Sequence, residues 1–243
     1  MDSLIFQSER KRSRQNSTPL IIIAVGFIAL VKSRSKSIVV GVAGGTGAGK
    51  STIVKEIYKQ LGTEKVSVIQ HDSYYKNCPE LSFEERAKIN FDHPDSLETK
   101  LLIEHLNLLI SGKNVEIPVF HHFTKYLRDS STKKIESRPI LIVEGILVLN
   151  DKELRDLMNL KVFVDLPPDL RFIRRLKREL SEHGRSVESV TNQYLATIRT
   201  MHEEYVEPSK AYADIFIPEG WSNRQAVNLL VSHLQTLQEK HSL

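Results

Sequence analysis

Only one cysteine, Cys78, occurs among 243 residues. A lone thiol excludes an internal disulfide and fits a reducing compartment. No apolar run reaches the roughly 20 residues that a membrane-spanning helix needs. The stretch PLIIIAVGFIALV, Pro19 to Val31, stops at 13. That length suits a signal-peptide core, although no small-residue cleavage pattern follows it. Nor does the body of the chain carry surplus positive charge. Residues 1–37 hold seven basic and two acidic side chains, which leaves 27 basic against 28 acidic elsewhere. A near-neutral body removes the electrostatic argument for a nucleic-acid partner. Internal repeats are absent as well, and no low-complexity segment lies beyond residues 1–37.

What is present reads as one globular domain. A hydrophobic content of 40% with 26% charged residues is ordinary for a soluble protein, and the length is enough to bury a sizeable core. Residues 1–37 are expected to stand outside this domain, as a leader, a membrane-associating segment through residues 19–31, or an import signal. The expected location is cytoplasmic, with targeting by this extension left open.

From residue 38 onward, short β-branched runs alternate with amphipathic stretches, the pattern of a parallel sheet covered by helices. SIVVGVA reads as the first strand, STIVKEIYKQL as the next helix and VSVIQ as the second strand. SLETKLLIEHLNLLISG reads as a helix capped by Ser96 and closed by Gly112. VEIPVF and KKIES suggest a hairpin outside the main sheet. PILIVEGILVL reads as a long buried strand, KVFVDLP and ADIFIP as two more, and a helix from Arg224 to Lys240 completes the domain.

Between the first strand and its helix, Gly44, Gly49, Lys50 and Ser51 fit the phosphate-cradling pattern G-x-x-x-x-G-K-[ST]. Backbone amides of such a loop converge on phosphate oxygens at a helix amino terminus. Lys50 is expected to reach the β and γ phosphates and Ser51 to bind Mg²⁺. Glu144 interrupts the apolar run ILIVEGIL; it is either a second Mg²⁺ ligand or an acid exposed at a strand end. Asp72 follows the second strand, where open α/β sheets bind ligands. It is either a general base for a hydroxyl acceptor or a turn-forming aspartate. RFIRRLKREL places Arg171, Arg174, Arg175 and Arg178 on one helical face, with Phe172, Leu176 and Leu180 on another. That stripe is either a solvated face or, with the break SEHGRS and a second helix, a lid over the transferring phosphate.

These motifs resemble the uridine-cytidine kinase family of P-loop kinases. The resemblance runs from about Ile38 to His233 through GGTGAGKST, HDSYYK, NFDHPDS, IPVF, VEGIL, the arginine-rich stretch and YADIFIP. It implies a P-loop NTPase fold of the nucleoside-kinase kind over residues 38–243, with a small hairpin insertion and a lid near residues 168–205. It implies transfer of phosphate from ATP or GTP, with Mg²⁺, to the 5′-hydroxyl of uridine or cytidine, commonly by a homotetramer. Gly44, Gly45, Thr46, Gly47, Ala48, Gly49, Lys50, Ser51 and Thr52 match the phosphate loop, and Asp72 matches the catalytic aspartate. Asp92 matches a ribose-binding acid, and Tyr75 and Phe91 match aromatic residues around the nucleoside. Arg175, Arg178, Arg185 and Gln193 match lid and substrate-contact positions.

The departures gather around the acceptor. After I-P-V the family usually reads Y-D-F-x-x-H-x-R, and this chain reads FHHFTKYLR, Phe120 to Arg128. One inserted residue aligns Phe123 with the aromatic and Arg128 with the arginine. Phe120 then stands for a tyrosine and Tyr126 for a base-reading histidine, with His121 and His122 either compensating neighbours or simply exposed. His183 replaces a lid arginine, and Ser222 stands where an aspartate beside the nucleotide base is common. Two other readings stay open: a P-loop kinase for another ribosyl acceptor such as nicotinamide riboside, and a nucleotide-binding protein without kinase activity.

Overall fold

The computed structural model describes residues 37–122 and 124–241. Readings that concern residues 1–36, including the apolar stretch 19–31, and Phe123 lie outside the described residues. Among those described, no helix is long and apolar enough to cross a membrane.

Five parallel strands form the central sheet: β1 (Ile38–Ala43), β2 (Val66–Gln70), β5 (Ile140–Glu144), β6 (Leu160–Asp165) and β7 (Ile215–Pro218), in the order β2-β5-β1-β6-β7. Side chains alternate faces along a strand, and here both faces are apolar. Ile38, Val40 and Val42 of β1, Ile140 and Ile142 of β5, and Val162 and Val164 of β6 form one core. It is covered by helix α1 (Lys50–Leu61), through Ile53 and Ile57, and by the last helix, Arg224–His241, through Leu230 and Leu234. Val39, Leu141, Val143 and Phe163 face the other way, toward Leu102, Leu106 and Leu109 of helix α2 (Thr99–Ile110).

The parallel register brings Val42, Gln70 and Glu144 abreast at the carboxyl edge of β1, β2 and β5. Glu144 continues the parity of Ile140 and Ile142, so it emerges on the face covered by α1. The order reverses around β1, and the crevice beyond its carboxyl end is where such sheets take ligands.

Three sequence expectations change. Helix α2 begins at Thr99, with no side-chain cap from Glu98, rather than at Ser96. Ser96 instead ends a short 3₁₀ turn, Pro94–Ser96, and donates its hydroxyl to the Phe91 and His93 carbonyls at 3.1 and 2.7 Å. The apolar run after Pro139 is not one long strand. It stops at Glu144, and the apolar residues Leu147, Val148 and Leu149 are buried in the turns that follow. The hairpin of β3 (Val115–His121) and β4 (Leu127–Ile135) is longer than expected, though it stands outside the main sheet as the sequence suggested.

Candidate active site

The phosphate loop joins β1 to α1. Gly49, with φ +99°, leads into α1, whose first residue is Lys50. Gly47 has φ +78°, and a Cβ there would stand 2.3 Å from the Arg171 carbonyl oxygen, so no other residue fits. The Lys50 ammonium donates to the Gly44 and Gly45 carbonyls at 2.9 and 3.3 Å. Burial lowers its pKa, opposed by the charges of Glu144 and Asp72. Ser51 Oγ donates to Glu144 Oε2 at 3.0 Å, and Gln70 Nε2 donates to Glu144 Oε1 at 3.2 Å. Glu144 is buried and reaches the first turn of α1, which leaves the exposed-acid alternative without support. A hydroxyl and a carboxylate side by side are hard oxygen donors, and they fit a cation that keeps water and phosphate in its remaining positions, as Mg²⁺ does.

Helix α3 (Pro168–His183) contradicts the usual reading of a charge stripe as solvated. Its arginine face turns partly inward, with Arg171 and Glu179 buried, Arg174 and Arg175 half-buried and Arg178 exposed, while Leu170, Ile173 and Leu180 are exposed as well. Arg175 spans the gap to the loop, with Nη1 donating to Thr46 Oγ1 at 3.0 Å and Nη2 to Gln193 Oε1 at 3.0 Å. Gln193 ends helix α4 (Val187–Gln193) and also accepts from Arg185 at 2.6 Å. Glu179, 1% exposed, pairs with Arg178 at 3.3 Å and Arg185 at 3.4 Å. It holds the two guanidinium groups together, a role missed in the sequence although the acid sits four positions after Arg175.

Beside the loop lies a cleft of about 330 Å³ whose walls come from distant segments. Thr46, Asp72, Tyr75, Phe91, Asp92, Tyr126, Arg175, Arg178, Arg185 and Gln193 all line it, joined by His122, Ile146, Glu179 and His183. A wider groove of about 810 Å³ elsewhere is lined by Asp165, Asp169, Glu203, Glu207 and Glu219 together with Arg199, His202 and apolar residues, and no residue of the phosphate loop borders it. Asp72 lies in the turn His71–Tyr74, directly after β2. The Asp92 carboxyl is pushed up to about 6, first by burial and then by the charge of Asp72, against the pull of Arg175 and Lys50. Asp72 and Asp92 thus share one cleft with a phosphate-loop residue and three arginines, two of which pair with the third carboxylate, Glu179.

The hairpin supplies the remaining wall. Tyr75, Phe91, Phe120 and His122 form a mutually packed group, with ring centroids 5.0–5.7 Å apart. Phe120 is nearly buried behind this wall and does not line the cleft. Neighbouring histidines part company: His121 bonds Asp129 at 2.8 Å, while His122 meets Tyr75 edge-on inside the cleft. Tyr126 stacks on Phe91 at 5.7 Å and 14°, with φ +48°, a conformation few non-glycine residues adopt. Arg128 does not reach the cleft and pairs with Glu98 at 2.7 Å. Ser222 lies away from it too, 3.4 Å from Arg174 Nη2, and Thr52 lines a separate groove with Arg224.

A P-loop at the switch point of a parallel sheet, with inward arginines and a second, carboxylate-bearing cleft, defines a P-loop phosphotransferase. Comparison with known proteins narrows the class. Residues 39–226 match the model of the phosphoribulokinase / uridine kinase family, and the chain belongs to that family. It is 47% identical over 205 residues to uridine kinase of Clostridium botulinum (strain 657 / Type Ba4), covering 84% of this chain and 99% of that protein. Identity to uridine kinase of Streptococcus pneumoniae (strain Hungary19A-6) is 46% over 207 residues, covering 85% and 97%. The fold is also that of phosphoribulokinase from Rhodobacter spheroides, with a TM-score of 0.57 at 17% identity over 76% of this chain and 70% of the other.

Proposed function

We propose that this chain transfers the γ-phosphoryl group of ATP, or GTP, to the 5′-hydroxyl of uridine or cytidine, forming UMP or CMP. The observation that carries this reading is the pairing of Asp72 and Asp92 in one aromatic-walled cleft next to Thr46 of the phosphate loop. Curated relatives of 46–47% identity that bear the name uridine kinase support it.

Phosphoryl transfer asks the protein for position and charge more than for covalent chemistry. The loop amides and Lys50 hold the donor phosphates. Ser51 and Glu144 would hold Mg²⁺, which when bound supplies charge neutralisation at the phosphates. Asp92 accepts hydrogen bonds from the ribose hydroxyls and fixes the sugar. Asp72 then faces the 5′-hydroxyl, orients it in line and takes its proton as the new O–P bond forms and the bond from the γ phosphorus to the β–γ bridging oxygen breaks, releasing the nucleoside diphosphate. Arg175, Arg178 and Arg185, aligned by Glu179 and Gln193, stabilise charge on the transferring group and form the lid that excludes water. Tyr75, Phe91 and Tyr126 hold the base, with the Tyr126 hydroxyl able to donate to a uracil carbonyl or accept from a cytosine amine. The working assembly is a homo-oligomer and the location cytoplasmic, both on family resemblance.

A coupled ADP-release assay against uridine, cytidine, nicotinamide riboside and purine nucleosides tests the reading. Turnover is expected with the pyrimidine nucleosides. A strong preference for nicotinamide riboside would reassign the acceptor, and nucleotide binding without ADP release across the panel would remove the kinase activity.

A further inference from the structure

After α4 the chain continues through two wide helical turns of the i→i+5 type, Tyr194–Ile198 and His202–Val206. Such turns are rare, and they frequently mark functional positions. In the second of them, two side chains three residues apart reach different loops of the site. His202 Nε2 lies 2.9 Å from Arg171 Nη2. A guanidinium only donates, so in the neutral ring Nε2 accepts from Arg171 and the proton falls on Nδ1. That Nδ1 is buried with no hydrogen-bond partner among the described residues, while Glu207 Oε2 lies 3.3 Å from the same Nε2. Arg171 also donates Nε to the Leu166 carbonyl at 3.0 Å, and a Cβ added to Gly45 would stand 2.4 Å from its Nη1. His202 therefore fixes the guanidinium that backs the phosphate loop.

Tyr205 turns to the acceptor side. Its hydroxyl is 3.0 Å from His93 Nε2, and the two rings meet edge-on at 5.0 Å and 75°. His93 Nδ1 accepts the Asp95 amide at 3.1 Å, which leaves the proton on Nε2 and makes the Tyr205 oxygen the acceptor. His93 directly follows Asp92. Val206 is buried in the core against which Tyr205 packs, so the turn is anchored.

We propose that the turn His202–Val206 is a brace that holds the donor and acceptor loops in register, with His202 and Tyr205 as positioning residues acting through Arg171 and His93. Neither residue lines the cleft. The proposal rests on the kinase reading above, and it predicts two separable effects. Loss of one ordinary hydrogen bond is worth about 3- to 10-fold in an equilibrium.

The test uses the full chain and the variants Tyr205→Phe, His93→Asn, His202→Ala and His202→Gln, with uridine and ATP each varied. Amide hydrogen exchange is followed over residues 44–50 and 90–96. Tyr205→Phe is expected to raise KM for uridine about 3- to 10-fold while kcat and the KM for ATP stay within about two-fold. Exchange should quicken only over residues 90–96. His93→Asn keeps an acceptor at the Nδ1 position and loses Nε2; it should match Tyr205→Phe, and the double variant should be no worse than either alone. His202→Ala should raise the KM for ATP and quicken exchange over 44–50, and His202→Gln, whose amide oxygen can accept from Arg171, should reverse both. Loss of kcat alone, additive effects of Tyr205→Phe and His93→Asn, or quickened exchange throughout the domain would overturn the brace. If the unaltered protein turns over no nucleoside, the kinase reading fails separately. Exchange changes confined to the two loops would then sustain the brace, and unchanged or uniform exchange would overturn it.

Discussion

The donor and acceptor halves of the site are built on opposite plans. The phosphate loop is nine consecutive residues, Gly44 to Thr52, whose shape follows from glycine positions and a helix start. The acceptor cleft takes Asp72 from a turn after β2, Asp92 from the loop before α2, His122 and Tyr126 from the hairpin tip, and its arginines from α3 and the segment after it. A contiguous site is held by local geometry, and a dispersed one by the packing that brings its pieces together. The donor half should therefore fail through single chemical groups, and the acceptor half should be open to retuning.

The largest expected effect lies where the halves meet. Asp72→Asn should cut kcat by at least about 100-fold while nucleotide affinity, read by titration calorimetry, stays close to that of the unaltered protein. Unchanged turnover would remove the proposed base. Next comes Glu144→Gln, which retains a hydrogen-bond acceptor for Ser51 without the charge. It should raise the Mg²⁺ concentration for half-maximal rate about 10- to 100-fold, with nucleoside KM little altered.

A third effect separates the halves by pH. Asp92 has a folded pKa of about 6 against an ordinary 3.8, so it protonates as pH falls through 6 and loses acceptor capacity. The KM for uridine should rise below about pH 6 while the KM for ATP does not follow, and Asp92→Asn should abolish this limb at a high, constant KM. The linkage has a definite sign: the folded state binds this proton more readily than the unfolded chain does. The contribution of Asp92 to stability therefore falls as pH rises from about 4 to 6, and Asp92→Asn should raise Tm at pH 7. A Tm lowered by that substitution would mean the carboxylate is stabilising. The smallest effect concerns the base. Tyr126→His should shift the cytidine-to-uridine ratio of kcat/KM by a few-fold, about the worth of one hydrogen bond. An unmoved ratio would separate Tyr126 from base recognition.

Legibility in the sequence follows the same division. GGTGAGKST was readable because its strand, loop and helix are adjacent, and Glu144 because a charge inside an apolar run demands a partner. One reading from local pattern gave way to packing, and one left open was resolved by it. Ser96, read as a helix cap, instead ties the Asp92 loop through two carbonyls. The stripe of α3, ambiguous as a pattern, is drawn inward at Arg175, where Thr46 and Gln193 offer partners, while Arg178 stays exposed beside Glu179. Glu179, His93, His202 and Tyr205 gave no local signal, because each acts through a residue distant in the chain or on another turn.

By itself, the sequence determined the parallel α/β architecture, the phosphate loop and its lysine, and the family resemblance, since these rest on side-chain period and on backbone freedom at particular glycines. Tertiary structure alone decided which arginines face the loop, which of two adjacent histidines enters the cleft, and how far Asp92 is drawn from its ordinary pKa. Those properties depend on burial and on partners brought from elsewhere in the chain, and neither is written in any single segment.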